Sequence, residues 1–181
     1  MTKKTLSMHY VSTHDEAKEL AKGIKKFWVS NCGCRERNGK CKQSRMDVCV
    51  AFYSPDVLSG SNAHTIDQKE LNKIFKEAED KKLVTRPFRS DDRKTTDGLC
   101  FCCNDCCSYF ADREEVCDKG AFIEKTDMKA CTDCGICEDA CFFGARIMND
   151  GKLEIISDEC YGCGLCVDVC PEECIVMKKR S

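Results

Sequence analysis

Eight cysteines in the last third of the chain form two runs with identical spacing. The first run is Cys131-Thr-Asp-Cys134-Gly-Ile-Cys137-Glu-Asp-Ala-Cys141, and the second is Cys160-Tyr-Gly-Cys163-Gly-Leu-Cys166-Val-Asp-Val-Cys170. Each run reads C-x2-C-x2-C-x3-C, and a constant offset relates each residue of one run to the other. Three thiolates on two successive tight turns can bind three irons of one cubane cluster, so this spacing predicts iron–sulfur chemistry.

The fourth cysteine of each run comes after a short helical turn that points it away from its own loop. In two-cluster ferredoxins, this cysteine binds the other cluster. The predicted ligands of two [4Fe–4S] clusters are therefore Cys131, Cys134, Cys137 and Cys170 for one, and Cys160, Cys163, Cys166 and Cys141 for the other. Zinc does not fit here, because zinc takes four ligands in paired C-x2-C units and not two four-cysteine runs.

Residues 121–181 resemble the bacterial-type two-cluster ferredoxins, over about a third of the chain. Gly135 and Gly164 follow the second cysteine of each run, where glycine permits positive φ and lets backbone N–H groups donate to the cluster sulfurs. The resemblance implies a repeated β-α-β unit, in which strands near residues 121–124 and 174–177 pair at the two ends.

Two positions in this part need a separate interpretation. Phe142 follows the first run where Pro171 follows the second, so we expect altered packing there and not a lost cluster. Cys174 corresponds in the repeat to Ala145, the small residue beneath the cluster loop. It is therefore predicted to pack as a small apolar residue and not to act as a ninth ligand.

Ten further cysteines precede residue 121 and fall into two groups. The first is Cys32, Cys34, Cys41 and Cys49, and the second is Cys100, Cys102, Cys103, Cys106, Cys107 and Cys117. In the second group, the C-x2-C-x2-C spacing of a cubane recurs at Cys100, Cys103 and Cys106, with Cys117 as a fourth ligand. The twin cysteines leave this register open.

Three interpretations of these two groups compete. The first is that these cysteines bind a third [4Fe–4S] cluster, or a third and a fourth if each group binds one. We expect at least one further cluster, because ten cysteines in the first 120 residues exceed what packing requires. The second is a structural zinc site formed by Cys32, Cys34, Cys41 and Cys49. The third is a set of free or redox-active thiols, which is disfavoured because exposed thiols oxidise readily.

The order of the motifs along the whole chain carries a second resemblance. A C-x-C-R motif at residues 32–35, a helix ending in Lys-Leu-Val and a twin-cysteine run precede the ferredoxin part. This order resembles that of a group of ferredoxin-fused iron–sulfur proteins of anaerobic microbes, and it implies no established activity. For Arg35, a hydrogen bond to a cluster sulfide and a surface position are both open.

Hydrophobic periodicity predicts the elements that position these cysteines. A strand covers residues 6–11, and a helix begins at the capping box of Thr13 and Glu16. The apolar face of this helix continues through Ala17, Leu20, Ala21, Ile24, Phe27 and Trp28. A second helix runs from about Thr65 to about Lys82, and its apolar face consists of Leu71, Ile74, Phe75 and Ala78.

These elements predict an α+β protein with two domains. Residues 1–118 are predicted to form a helical, cysteine-rich domain that binds one or more additional clusters, and residues 119–181 a two-cluster ferredoxin domain. The charged segment 86–97 is predicted to be a linker or mobile loop. The three histidines, His9, His14 and His64, have no ligand spacing and are predicted to be surface residues.

The composition limits the class of partner. A net charge of −2 provides no broad basic face for a nucleic acid. No stretch reaches the length of a membrane span, and residues 1–10 lack the apolar core of a signal peptide, which predicts a cytoplasmic protein. In that reducing compartment, many cysteines at short spacing indicate metal binding rather than disulfides.

These features predict an electron carrier rather than a self-contained enzyme. Its [4Fe–4S] clusters would work at low potential and pass single electrons to or from a partner oxidoreductase. Acidic residues beside the runs favour a low potential and offer a docking face for a basic partner: Glu138, Asp139, Asp168, Glu172 and Glu173. The alternative is a redox enzyme in which an N-terminal cluster binds a substrate and the ferredoxin domain supplies its electrons.

Overall fold

The computed structural model describes residues 5–111 and 115–180. Within these ranges, eleven strands and six α-helices make a mixed α/β structure that is rich in sheet. The strands form one seven-stranded sheet and two sheets of two strands each. No helix of these ranges has the length and apolar character needed to cross a membrane.

The seven-stranded sheet takes its strands from the part of the chain before residue 119. They are β1 (His9–Tyr10), β2 (Phe27–Ser30), β3 (Cys49–Ala51), β4 (His64–Ile66), β5 (Val84–Arg89), β6 (Thr96–Cys102) and β7 (Cys117–Asp118). Their order is β4-β2-β3-β6-β5-β1-β7, and neighbours are antiparallel except β1 and β7. The predicted helical character of this region is therefore wrong, because a sheet is its framework.

The helices of this part pack against the sheet. They are α1 (His14–Leu20), α2 (Gly33–Arg37), α3 (Gln68–Asp80) and α4 (Ser108–Ala111). The apolar face predicted for α3 is confirmed, since all four of its apolar residues are buried. The ring of Phe75 meets the ring of Phe101 in β6 edge to face, with centroids 5.3 Å apart. Burial of such a side chain contributes about 1.5–3 kcal/mol, which holds α3 against the sheet.

Helix α1 is shorter than predicted. The capping box of Thr13 and Glu16 is confirmed, but the helix ends at Leu20, and Gly23 adopts a φ of +82°. A left-handed glycine ends a helix readily, because it has no Cβ to clash. Phe27 and Trp28 of the predicted apolar face lie instead in β2, and the strand predicted before the helix is reduced to the two residues of β1.

Helix α3 begins later than predicted. Thr65 belongs to β4, where it lies opposite Trp28 of β2. The true N-cap is Asp67, whose side chain accepts a hydrogen bond from the backbone N–H of Glu70. Both Thr and Asp are good N-caps. Because Thr65 is held in β4 by its pairing with β2, the helix begins after Asp67 instead.

The prediction of a linker or mobile loop at residues 86–97 is wrong. The two ends of this segment lie in β5 and β6, which pair antiparallel. Arg86 is only 2% exposed. Gly98 follows within β6, and a Cβ there would overlap the carbonyl oxygen of Val50 and the ring of Phe88. The charged residues of this segment therefore lie partly in the turn between β5 and β6 and partly in the two strands, where Arg86 is buried.

The C-terminal part consists of two small sheets and two short helices. Its elements are β8 (Phe122–Thr126), α5 (Ile136–Asp139), β9 (Arg146–Asn149), β10 (Lys152–Ile155), α6 (Leu165–Asp168) and β11 (Ile175–Lys179). Strand β8 pairs antiparallel with β11, and β9 pairs antiparallel with β10. The predicted pairing of the two end strands is confirmed.

An aromatic cluster joins α4 to the C-terminal part. Its members are Tyr109, Phe110, Phe142, Phe143 and Tyr161. The rings of Phe143 and Tyr161 stack with centroids 4.5 Å apart, and each such pair contributes about 0.5–1.5 kcal/mol beyond its buried area. Phe142, which stands where the second run has Pro171, packs against Phe110 at 5.7 Å. The departure from the repeat therefore provides a contact between the two parts.

Candidate metal centres

The first C-terminal cavity is lined by cysteines from both runs. Cys131, Cys134 and Cys137 come from the first run, and Cys170 comes from the end of the second. The repeat positions them in this way because each short helix carries its fourth cysteine across to the neighbouring loop. The structure thus brings together the four residues predicted as one ligand set.

The second cavity is lined by the other predicted set. Cys160, Cys163 and Cys166 of the second run face it together with Cys141 of the first. Two cavities that each bring together three cysteines of one run and one of the other are what a repeated cluster-binding unit requires.

The residues around both cavities suit a [4Fe–4S] cluster. Gly135 and Gly164 begin α5 and α6 with φ values of +78° and +84°, and the backbone N–H of Leu165 donates to the sulfur of Cys163. Burial raises the pKa of Cys166 to about 12, so this thiol needs a metal to be a thiolate at neutral pH. Among the residues that the structure describes, no three of these eight sulfurs lie within 4.8 Å of one another.

A buried ion pair lies between the two cavities. Arg146 donates to the Sγ of Cys137 at 3.3 Å and to the Oε2 of Glu124 at 2.6 Å. Its Nη2 also donates to the Oγ1 of Thr126 at 2.8 Å. Arg146 and Glu124 are 2% and 4% exposed, and both line the second cavity. The arginine therefore contacts a cysteine of the first cavity and forms a wall of the second.

The repeat could have revealed this pair. Under the offset of the two runs, Glu124 corresponds to Leu153 and Arg146 to Ile175. Leu153 and Ile175 are buried, and they line the first cavity. The two cavities therefore differ at equivalent positions, since one has an apolar pair and the other an ion pair. The sequence signal for the ion pair was the presence of two charged residues at positions that are apolar in the other copy.

Comparison with known proteins agrees with this geometry. Residues 130–175 match the family model of the 4Fe-4S dicluster domain. The match includes all eight cysteines of the two runs, and it covers about a quarter of the chain. It indicates an iron–sulfur, electron-transfer function in general and at least one [4Fe–4S] cluster. No curated protein was found to match the chain.

Cross-binding in the dicluster domain can be tested with one variant. Cys170→Ser is expected to change the spectrum of the cluster at Cys131, Cys134 and Cys137, because the side chain lines their cavity. The measurement is electron paramagnetic resonance of the reduced full-length protein. An altered signal from the cluster at Cys160, with the other unchanged, would contradict the assignment.

Cys174 provides the control for that experiment. Its sulfur lies 3.5 Å from the sulfur of Cys170, and it lines the same cavity. Cys174→Ala should leave both cluster signals in place, since the repeat has alanine at the equivalent position. In the double variant Cys170→Ser with Cys174→Ala, the sulfur of Cys174 is no longer there to replace that of Cys170. We expect this variant to lose the first cluster.

Six N-terminal cysteines form a continuous group that we call the thiol belt. Its members are Cys32, Cys34, Cys49, Cys100, Cys102 and Cys107. Cys34 and Cys49 are close enough to Cys32 to shift its pKa, and the sulfurs of Cys49 and Cys100 are 4.0 Å apart. Cys107 is close enough to Cys34 and Cys102 to shift the pKa of both. Arg86 donates to the sulfurs of Cys102 and Cys107. The belt therefore joins the loop before α2, two adjacent strands and the segment leading into α4.

Neighbouring thiols in the belt shift one another's ionisation. Contact with Cys49 lowers the pKa of Cys100 to about 5, and contact with Cys34 raises the pKa of Cys32 to about 12. The physical cause is a shared proton, because ionising one buried thiol makes it harder to ionise its neighbour. A lowered pKa favours the thiolate, which is the form of cysteine that binds metal.

Cationic groups lie against the belt. The guanidinium of Arg86 donates to the Sγ of Cys107 at 3.4 Å and to Glu115 at 2.7 Å, and it stacks over the ring of Tyr109 at 4.4 Å. The Nε2 of His9 lies 3.8 Å from the Sγ of Cys100. Burial alone would lower the pKa of His9, but contacts with Cys100 and Glu115 raise it to about 10. These charges offset the negative charge of the thiolates.

The surface positions predicted for two histidines are wrong. His14 is 7% exposed, and its Nε2 lies 3.0 Å from the carbonyl oxygen of Leu83. His9 is partly buried beside the thiol belt. His64 is exposed, as predicted.

The predicted N-terminal ligand groups are divided differently in space. Cys100 and Cys102 lie in β6 and belong to the belt, whereas Cys103 and Cys106 follow the strand and lie with Cys41. The spacing that resembles a cubane run at residues 100–106 therefore does not bring its three cysteines together. Cys117 is buried near Arg86, and it is not among the three-sulfur group found in the described residues.

Proposed function

We propose that this protein is a low-potential electron-transfer protein that passes single electrons between its clusters and a partner oxidoreductase. The observation that carries the proposal is the pair of cavities in the dicluster domain, each lined by three cysteines of one run and one of the other. A [4Fe–4S] cluster bound by four thiolates supplies one-electron chemistry. The chain itself provides the thiolates, excludes water and donates hydrogen bonds to sulfur.

A third cluster in the thiol belt is part of this proposal. The belt contains more than the four thiols that one cubane needs, and Arg86 and His9 offset their charge. Cys107 directly precedes α4, whose aromatic residues pack on Tyr161 and Phe142. These two residues adjoin Cys160 and Cys141 of the second cavity. The aromatic cluster therefore offers a partly buried connection, through packed rings, between the belt and the dicluster domain.

A groove beside the second cavity is the proposed docking surface for the redox partner. Its floor includes Cys163 and Gly164, and its rim is formed by α1, the end of α3 and α6. The acidic residues of the rim are Asp15, Glu16, Glu19, Glu79, Asp80 and Asp168. This charge suits a basic partner surface and would bring it directly against the second cluster.

The proposal is tested by metal analysis of the anaerobically purified full-length protein. At least eight irons per chain, with matching sulfide, are expected from two clusters. Stepwise chemical reduction should add one electron per cluster, and the reduced protein should show two interacting paramagnetic centres. A well-folded protein that holds only four irons would contradict the two-cluster proposal.

One observation favours the alternative of a redox enzyme. A separate pocket, distinct from the two cysteine-lined cavities, lies between the belt and the dicluster domain. It is lined by the aromatic cluster with Glu115, Cys117 and Glu159. A substrate bound there would lie between two electron sources. Steady-state reduction of a small disulfide or unsaturated compound by the chemically reduced protein alone would favour the enzyme. Electron delivery only through an added oxidoreductase would favour the carrier.

A further inference from the structure

Three cysteines outside the belt form the tightest sulfur group in the described part of the chain. The Sγ of Cys103 lies 3.6 Å from that of Cys41 and 3.3 Å from that of Cys106. All three sulfurs lie within 4.8 Å of one another. Cys103 and Cys106 are buried, and Cys41 is partly exposed.

These distances distinguish a single ion from a cluster. Thiolates bound 2.3 Å from one tetrahedral zinc ion lie about 3.8 Å apart. The ligand sulfurs of a cubane lie roughly 6 Å apart, because each binds a different iron. The eight cysteines of the dicluster domain provide an internal comparison, since they form no three-sulfur group this tight in the described residues.

The loops that carry the three cysteines are held together by their own side chains. The backbone N–H of Lys42 donates to Asp105 at 3.0 Å, and Gln43 donates to Asn104 at 2.6 Å. Asn38 donates to the carbonyl oxygen of Cys106 at 3.3 Å. The C-x2-C pair of Cys103 and Cys106 is thereby fixed opposite Cys41, in the spacing that is typical of a zinc ligand pair.

A buried arginine balances the charge of this group. Arg35 is 1% exposed, and its Nη2 donates to the carbonyl oxygen of Phe101 at 3.1 Å. The surface position considered for Arg35 is therefore wrong. Its charge is stabilised by the neighbouring sulfurs of Cys41 and Cys103. Three thiolates and one divalent cation carry a net charge of −1, which one arginine neutralises.

We propose that Cys41, Cys103 and Cys106 bind one thiophilic divalent ion of the zinc class, with the fourth coordination position open to solvent or a small ligand. No fourth His, Cys, Asp or Glu of the described residues lies within reach of all three sulfurs. A zinc site with three protein ligands and one exchangeable ligand is the arrangement of reactive rather than purely structural sites. Cys41 is partly exposed, so solvent reaches this group of sulfurs.

The experiment uses the full-length protein purified anaerobically in zinc-containing medium. We expect one zinc per chain beside the iron. X-ray absorption at the zinc edge should show three sulfurs at about 2.3 Å and one lighter ligand. Replacement by Co²⁺ should give the thiolate charge-transfer bands of a tetrahedral site, independently of the iron–sulfur absorption.

Single substitutions locate the ion. Cys41→Ser and Cys103→Ser should each lower the zinc retained against a chelator at least tenfold, with the iron content unchanged. Cys102→Ser is the matched control, because it lies beside Cys103 but belongs to the belt, and it should retain the zinc. A wild-type protein that takes up neither zinc nor Co²⁺, a zinc edge with four sulfurs, or a loss of iron in Cys103→Ser would overturn the proposal. The first two of these outcomes are decided on the wild-type protein, without any variant.

Discussion

Replacing Arg146 with Met is expected to destabilise the dicluster domain by about 3–5 kcal/mol, because the change leaves a buried carboxylate without its partner. Glu124 is 4% exposed and lies 2.6 Å from the guanidinium in the native structure. The measurement is anaerobic denaturation of the full-length protein, followed through the cluster absorbance, with a lower midpoint expected for the variant.

The chain itself supplies the matched control. The other copy of the repeat has Leu153 and Ile175 at the equivalent positions, so Glu124→Leu with Arg146→Ile gives both cavities the same walls. A buried ion pair can often be replaced by apolar residues without loss of stability. We therefore expect the double variant to recover most of the midpoint. A double variant as unstable as Arg146→Met would contradict an unpaired charge as the cause.

The same substitutions should also change a reduction potential. Arg146 donates to the sulfur of Cys137, and a hydrogen bond or positive charge near a ligand sulfur stabilises the reduced cluster. Arg146→Met should therefore make the potential of the cluster at Cys137 more negative. A redox titration monitored by electron paramagnetic resonance measures it, and an unchanged potential would show that the arginine only supports the fold.

The repeat explains why the C-terminal part could be predicted. Its cysteine spacing is the one that cluster ligation requires, and the two copies provide the same signal twice. The end-strand pairing of β8 with β11 and the left-handed Gly135 and Gly164 follow from those constraints. The ion pair of Glu124 and Arg146 could also have been found, because it departs from the second copy at two buried positions.

The N-terminal sheet could not be predicted because its strands have little local signal. Strands β1, β3 and β7 have two or three residues each, too few to show an alternating pattern. Helical periodicity from Ala17 continued by coincidence to Phe27, although the helix ends at Leu20 and Gly23 turns the chain away from it. Arg86 appeared to be a loop residue because sequence patterns do not show that sulfur, Glu115 and Tyr109 surround it.

The grouping of the N-terminal cysteines depends on tertiary structure in the same way. Cys41 meets Cys103 and Cys106 only because the loop after α2 crosses the end of β6. Cys100 has the right spacing to join them, but its strand turns its sulfur toward Cys49 and His9. The sequence spacing therefore identified these cysteines as candidate metal ligands, but the pairing of the strands determines which of their sulfurs lie together.

The thiol belt leads to the last prediction, which concerns the total number of clusters. If the belt binds a third cluster, the anaerobically purified full-length protein should contain clearly more than eight irons, with matching sulfide. Substituting Cys32 and Cys34 together by serine should reduce the iron to about eight, because both line the loop that closes the belt. The signals of the dicluster domain should remain, since its cavities share no residue with the belt.

Cys41→Ser is the control for this double variant. It lies in the same N-terminal group of cysteines, but its sulfur contacts Cys103 and not the belt, so its iron content should equal that of the wild type. Metal ligation contributes folding energy directly, so the double variant should also unfold its N-terminal part at lower denaturant concentration. A wild-type protein with eight irons and free belt thiols would contradict the third cluster, and two zinc ions per chain would assign the belt to zinc instead.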